Sequence, residues 1–538
     1  MTFTSEEEAL LRKYARPIVH MRGQHKLGRL APVLGAGVSK SFGLPGWSEF
    51  IKKIAADPNV KGKNVLDGVT ERTSLPFVTE LLFQHFRRVE SEKYNTRKAL
   101  TLEFENRTAA KWQRICAKHL YKDSRSSFSA AIGKHPYLSQ LLPLIQRTAL
   151  TITYNFDDFL ERALREKKPA TDKSRGFETV TNPWMQFRRE RGVVYHANGV
   201  IKSELMELPV DKFIFSESSF ARQKFGAGGD GSFLVNHFCK NTCLVIGASL
   251  EDESLRGTLV RSAETSPGNF HYCVYFLRRP SALASLDTNA IRSAHFKVFN
   301  MITLFLTDSE IGILARLIDT EQVNDDDLKD LARQAGVPLV YRYYLTGPVG
   351  VGKSTTARQL GNLSVLDEWL DPRPSVLAKP WDSLSKRERH RADTWILKQF
   401  RLKNDRLRHE KIGIFVVDRP PLDPLVFTPI RQRLAKAKAL LNSLCAGQNR
   451  VIDGVVMLLQ ADPTELSIRV LATGRDEYTR KKIDRMQDDL RKLYKGLGAF
   501  ALDTRGMSVA DVTKAIAEII FFQSYEEFAL HRRLQRYR

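Results

Sequence analysis

Cysteine is scarce: five residues, at positions 116, 239, 243, 273 and 445, too few and too scattered for a disulfide framework. A reducing compartment, the cytoplasm, is therefore the expected setting. Only Cys239 and Cys243 lie close together, with His237 nearby. No second C-x-x-C pair accompanies them, so two buried thiols are expected there and no zinc. Long apolar runs are also missing. Nothing approaches the roughly 18 residues that span a bilayer, and no membrane partner is expected. The opening carries Glu6, Glu7 and Glu8 and no apolar stretch, so a secretory signal is not expected. Ser5 and Glu8 instead have capping-box spacing for a helix. Internal repeats and low-complexity tracts are absent. Acidic residues are outnumbered, 61 against 84 basic ones, which leaves a net charge of +23. That balance suits polyanionic ligands, either nucleotides or nucleic acid. The densest basic cluster, His531 to Arg538, sits in no recognisable nucleic-acid module, and it reads as a solvated helix end or a nucleic-acid contact.

What is present is an α/β pattern over a length that suits two or three domains. Short β-rich runs occur at Ala31–Leu34, Ala149–Thr153, Gly192–His196, Lys212–Phe215, Thr242–Ile246, His271–Phe276 and Asn300–Leu306. Residues from about 50 to 147, rich in Lys, Arg and Leu, are too many for a loop and predict a helical insertion between the first two strands. Around Glu321–Asp330 the composition turns acidic, and Val340–Leu345 then starts a second α/β series. The expected organisation is a domain over 1–320, a linker over 321–338 and a second domain over 339–538.

The second domain announces itself through Gly347-Pro-Val-Gly350-Val-Gly352-Lys353-Ser354, an ungapped G-x-x-x-x-G-K-S between a strand and a helix that includes Thr355. Backbone N–H groups in such a turn curl around a phosphate, Lys353 reaches the β- and γ-phosphates, and Ser354 is placed for Mg²⁺. A buried run, Ile414–Val417, ends in Asp418-Arg419-Pro-Pro-Leu-Asp423, putting a carboxylate at a strand's C-terminal edge. Val455–Leu459 follows, then a helix carrying Arg469, then Arg475, in a segment that reads as a basic lid. This succession over about 340–525 resembles the nucleoside and nucleotide monophosphate kinases. The resemblance implies ATP or another nucleotide with Mg²⁺. It also implies Asp418 or the Asp367-Glu368 pair as the base, Arg419 as a substrate contact, and Arg469 and Arg475 as lid arginines. Pro420-Pro421 stands where many relatives have Ser.

In the first domain Leu34-Gly35-Ala36-Gly37-Val-Ser39 is a strand running into a G-x-G turn, a geometry that lets a pyrophosphate approach the backbone. The third glycine of a dehydrogenase fingerprint is missing. Gly43-Leu-Pro-Gly-Trp47 follows, and further on come Thr153-Tyr-Asn155-Phe-Asp157, His196-Ala-Asn198-Gly199 and Gly247-Ala-Ser249-Leu-Glu-Asp252. These elements in this order resemble the bacterial NADase branch of the sirtuin-like family. The resemblance implies a Rossmann-like, sirtuin-type domain carrying NAD⁺ as substrate. Gly35, Ala36, Gly37, Ser39, Trp47, Gly247, Ser249 and Asp252 would then line the dinucleotide. Asn155 would orient water or ribose, Asp157 would fix its geometry, and His196 would be the general base. Relatives often place His where this chain has Asn198. Either His196 serves from two positions earlier, or the pocket binds NAD⁺ without turning it over. The four-cysteine zinc ribbon of deacylase sirtuins is absent, which shifts the expectation from deacylation to NAD⁺ hydrolysis.

Two readings follow. In the first, the chain is an NAD⁺ hydrolase gated by a nucleotide at the P-loop. The resemblance then implies antiphage abortive infection, a homo-oligomer and a phage-derived trigger. In the second, it is an active nucleoside or nucleotide kinase with an NAD-binding regulatory domain. A basic scaffold for nucleic acid is a further, non-enzymatic alternative.

Overall fold

A computed structural model describes residues 3–536 except 68, 71–72, 94–100, 125–127, 167–175, 183–191, 204–212, 226–230, 251, 380, 446–449 and 475–477. The fold is α/β, with two sheets whose named strands all pair in parallel. The chain divides into two compact units. One comprises Met1–Leu10, Gln24–Thr265 and Phe270–Asn324, and the other Leu11–Gly23, Ser266–Asn269 and Asp325–Arg538.

The first unit holds seven strands: β1 (Leu30–Leu34), β2 (Leu150–Thr153), β3 (Phe177–Val180), β4 (Gly192–His196), β5 (Thr242–Ile246), β6 (His271–Phe276) and β7 (Met301–Leu306). Their order is β3-β4-β2-β1-β5-β6-β7. All five residues of β1 and of β5 are buried, as central strands covered on both faces must be. The chain leaves β1 for β2 on one side and later returns to β5 on the other, so β1 is the switch point. Loops following β1, β2 and β5 therefore open on a single crevice at the carboxyl edge, where α/β sheets bind ligands. Ala31, Val33, Ile152, Tyr195, Val245, Phe238 and Leu259 belong to one buried apolar cluster beneath it.

Between β1 and β2 lie the helices Trp47–Ala55, Lys63–Asp67, Leu75–Glu92, Leu102–Tyr121, Phe128–Lys134 and Tyr137–Arg147. They account for the helical insertion read from length. The run Lys212–Phe215 does not form a named strand. Lys212 lies outside the described residues, and Phe213 makes a single antiparallel bridge to Gly199. The edge strand β3 has no counterpart among the runs read from the sequence, because its half-exposed Phe-Glu-Thr-Val lacks an apolar signature.

The second unit contains β8 (Val340–Thr346), β9 (Ser364–Leu366), β10 (Gly413–Asp418), β11 (Val455–Gln460) and β12 (Ala499–Asp503), in the order β12-β11-β8-β10-β9. Here β8 is the switch strand. Its helices start where the sequence supplies caps: Ser385 with Glu388, and Ser508 with Asp511, form reciprocal capping boxes. Residues 11–23 join this unit through three side-chain contacts. Arg12 donates to Ala335 O, Arg16 to Ile520 O, and the His20 ring contacts Asn362 O at 2.9 Å. The backbone kinks at Tyr14, between Arg12 and Arg16. Arg12 and Arg16 put positive charge on carbonyls in the last turns of two helices, where it is favoured, while burial pulls the His20 pKa down to about 4 and leaves that contact neutral. Among the described residues no helix is long and apolar enough to cross a membrane.

Candidate functional site

At the carboxyl edge of the first sheet, the turn after β1 locks into the turn after β5. Gly35 N donates to Ile246 O and Gly37 N to Gly247 O at 2.7 Å. A Cβ on Gly35 would stand 2.2 Å from Ala248 Cα, and Gly247 adopts φ +68°, where side chains are rarely tolerated. The glycines are thus required for backbone-to-backbone packing. Ala36 and Gly37 remain exposed on the crevice side.

Asn155, just beyond β2, is half-buried. Its Nδ2 donates to Gly35 O at 3.0 Å and its main-chain N to Thr153 Oγ1 at 3.1 Å. Its side-chain oxygen takes no partner among the described residues. Next to it, Asp157 accepts from Ser39 Oγ at 2.6 Å and from Phe159 N at 3.2 Å. Burial pushes the Asp157 carboxyl up to about 6, against the two hydrogen bonds and the nearby His196. The structure thus brings Gly35, Ser39, Asn155 and Asp157 together, with Gly37 in the same turn as Gly35 and Gly247 in the facing turn after β5.

His196 does not fit the general-base expectation. Its side chain is fully buried at the end of β4. Nε2 lies 2.5 Å from Glu161 Oε1, and Nδ1 lies 3.1 Å from Asn155 O. Burial opposes charge on both partners, yet their mutual attraction prevails, holding the His196 pKa above and the Glu161 pKa below their ordinary values. With both ring nitrogens committed, His196 positions the Asn155 loop and offers no lone pair to water. Asn198 is also buried: its Nδ2 donates to Tyr154 O, and its Oδ1 has no partner among the described residues.

The other expected NAD⁺ contacts have local tasks. Trp47 stacks on Phe215 and Phe220, with centroids 6.0 and 5.9 Å apart, and meets Phe156 edge-on at 6.3 Å. It therefore buttresses the site through the residue between Asn155 and Asp157. Asp252 accepts from Leu255 N and caps the helix Glu253–Thr265, while Ser249 is exposed beside it. Two contributors escaped the sequence reading. Glu161 sits one helical turn beyond Asp157. Tyr121, from the insertion, donates to Ile201 O and Asp158 Oδ1 and accepts from Asp158 N, tying down the loop after β2. Neither has a motif of its own.

In the second unit the P-loop joins β8 to the helix Lys353–Gln359. Gly352 caps that helix with φ +95°, and no heavy atom would lie within 4 Å of a Cβ there, so conformation alone requires glycine. Lys353 is buried, its Nζ donating to Gly347 O at 3.0 Å and Pro348 O at 2.9 Å. Burial, then Arg419, pulls its pKa down to about 8. Ser354 Oγ donates to Asp418 Oδ2 at 2.7 Å. Asp418 Oδ1 is buried with no hydrogen-bond donor among the described residues. A hydroxyl paired with a carboxylate whose second oxygen is unsatisfied is a donor set suited to a nucleotide-bound divalent cation. Gly347, Gly350 and Thr355 complete the loop and its helix start.

Around this lies a buried network of alternating charge. Arg419, in the left-handed region at φ +69°, donates to Glu368 Oε1 at 2.6 Å and reaches Asp423 Oδ2 at 3.4 Å. Asp423 also accepts from Thr346 and from Tyr494. Lys403 Nζ donates to Asp418 O at 2.7 Å and Arg419 O at 3.4 Å, which secures a turn that costs a non-glycine residue roughly 1–2 kcal/mol. Of the Asp367-Glu368 pair, Glu368 faces the network, while Asp367 is exposed. Lys403 and Tyr494 had no sequence signal. Arg469 is exposed and paired with Glu465 one turn back, as a surface ion pair would be, and Arg475 lies outside the described residues.

No curated protein matches the chain. Among solved structures it is similar to thymidylate kinase from Candida albicans, at 15% identity over 35% of this chain and 98% of that one, with a TM-score of 0.26. It is likewise similar to deoxyadenosine kinase from M. mycoides with bound dATP, at 15% identity over 33% of this chain and 97% of that one, with a TM-score of 0.27. Residues 149–298, from the start of β2 to the helix before β7, match the family model of the SIR2-like domain.

Proposed function

We propose that the first unit cleaves the nicotinamide–ribose bond of NAD⁺, and that a nucleotide held with Mg²⁺ at the P-loop controls the reaction. The observation that carries the reading is Asn155. Its amide nitrogen is pinned to Gly35 O while its oxygen has no partner among the described residues, at the crevice of a SIR2-like segment. Nicotinamide leaves NAD⁺ as a neutral molecule, so no acid need protonate it. The site's task is to stabilise an oxocarbenium-like ribose and orient water, which suits an oriented amide beside a carboxylate. The loss of His196 as a base does not remove these requirements. Asp157, buried and hydrogen-bonded to Ser39, sets the Asn155 loop and lends negative charge near the developing cation. An antiphage role through NAD⁺ depletion, in a homo-oligomer, goes with this reading.

Nicotinamide release by the purified protein, measured with and without ATP, dNTPs and dNMPs, tests it. Release that responds to a nucleotide and disappears in Asn155→Ala is the expected result. Absence of release under every condition refutes the reading.

A second reading, phosphoryl transfer to a nucleoside or nucleotide, is favoured by Glu368, which pairs with Arg419 at 2.6 Å and interacts electrostatically with the P-loop Lys353. Under this reading Glu368 would serve as the base that takes the acceptor hydroxyl proton. Transfer of labelled γ-phosphate, abolished in Lys353→Ala, would support it. Under the first reading the same substitution changes only the response of NAD⁺ cleavage to nucleotide.

A further inference from the structure

His196 makes one hydrogen bond from each ring nitrogen, and both partners present oxygen: the Glu161 carboxyl group and the Asn155 main-chain carbonyl. A carbonyl only accepts, so Nδ1 must carry a proton. The Nε2 contact can then be made in two ways. Either the imidazole holds a second proton opposite a carboxylate, or a protonated Glu161 donates to the Nε2 lone pair. In both, one proton is shared between Glu161 and His196, and Nδ1–H stays aimed at Asn155. The pair is sealed, with the His196 side chain wholly buried and that of Glu161 2% exposed. Thr179 Oγ1 donates to the same Glu161 oxygen at 3.2 Å, and Oε2 is buried without a donor among the described residues.

We infer that Glu161 is a positioning residue for NAD⁺ cleavage: acting through His196, it fixes the main chain at Asn155 so that the Asn155 amide holds its place at the sheet edge. Remove the carboxyl group, and His196 loses its anchor. The ring can then turn and Asn155 O loses its donor, while among the described residues the loop after β2 keeps the Thr153, Leu34 and Tyr121 contacts at its backbone N–H groups and those of Asn198 and Ile201 at the Tyr154 and Phe156 carbonyls. Glutamine in its place still offers an N–H to the Nε2 lone pair of a neutral imidazole, with Nδ1–H kept on Asn155. The geometry therefore requires a hydrogen-bond donor or a shared proton at position 161, and charge as such is dispensable.

The inference rests on the proposed NAD⁺ cleavage for its turnover readout, and amide hydrogen exchange of the full-length protein supplies a second readout that does not. In Glu161→Ala, peptides covering 154–158 are expected to exchange roughly tenfold faster while those over β1 keep their rates. Nicotinamide release should fall roughly tenfold in kcat with KM for NAD⁺ changed less than about twofold, as expected for a misplaced orienting group. Glu161→Gln should restore both. Unchanged exchange at 154–158 in the alanine variant, or equal damage in the glutamine variant, overturns the inference. If Glu161→Ala does not fold, Thr179→Val, which removes one hydroxyl from the same carboxyl group, replaces it: faster exchange confined to 154–158 supports the inference and unchanged exchange there overturns it. If the wild-type protein releases no nicotinamide, the proposed function fails by itself, and the exchange of 154–158 alone decides the inference.

Discussion

Both units place a glycine turn after the switch strand of a parallel sheet, yet the two turns use glycine for different reasons. After β1, Gly35 and Gly37 make room for the backbone of the turn after β5, and the polar groups nearby are largely engaged with one another. After β8, Gly352 supplies a left-handed conformation with no neighbour to avoid, and its loop folds around a buried ammonium group. The first turn is a joint between two loops, and the second is a cradle. This difference explains why a short G-x-G pattern is weak evidence for a ligand, whereas G-x-x-x-x-G-K-S carries its chemistry within eight residues.

The sharpest way to break the comparison is to remove the reactive group of each site. Asn155→Ala should lower nicotinamide release by roughly 100-fold or more while leaving nucleotide affinity at the P-loop unchanged, as followed by product assay and calorimetric titration. Lys353→Met should weaken nucleotide binding by roughly 10- to 100-fold, the worth of charged hydrogen bonds to phosphate. The same substitution should raise the melting temperature of the ligand-free second unit, because a buried ammonium no longer has to be desolvated.

Glycine replacements sharpen the distinction. Gly247→Ala puts a Cβ 2.7 Å from Val38 N at a positive φ, and should destabilise the first unit by about 2–3 kcal/mol in calorimetry. Gly352→Ala meets no neighbour and should cost only about 1–2 kcal/mol of conformational strain.

The gentlest test is pH. The Asp157 carboxyl, near 3.8 in the unfolded chain, is raised to about 6 in the fold, so between those values the folded state binds more protons. Stability of the first unit should fall as pH rises through that window, and Asp157→Asn should flatten the profile. Lys353 has the opposite sign. Its pKa drops from 10.5 to about 8, the unfolded state binds more protons between them, and stability of the second unit should rise with pH across that range.

The P-loop, the strand-end Asp418 and most strands were legible because their signals are local: a contiguous motif, or a buried apolar run of the right length. The helical insertion was legible from length alone. The environment of His196 was not. A histidine at a strand end gives no sign of which way its ring points, and its partner Glu161 lies 35 positions away without a distinctive spacing. Lys403, on a helix already crowded with basic residues, was equally hidden until its ammonium group was seen donating to Asp418 O. Arg469 shows the converse, a residue that a family pattern made prominent and that the fold pairs with its neighbour Glu465.

The long-range contacts of Arg12, Arg16 and His20 have a consequence for biosynthesis. Arg16 bonds to Ile520, 504 positions further along the chain. During translation the Arg12 acceptor, Ala335, is made before the second sheet, whereas the Arg16 guanidinium stays without Ile520 O until all five strands of that sheet have been made. A message cut short before Ile520 yields a chain in which Arg16 lacks that acceptor. The Arg16 contact thus closes only after every strand of the second sheet has been synthesised.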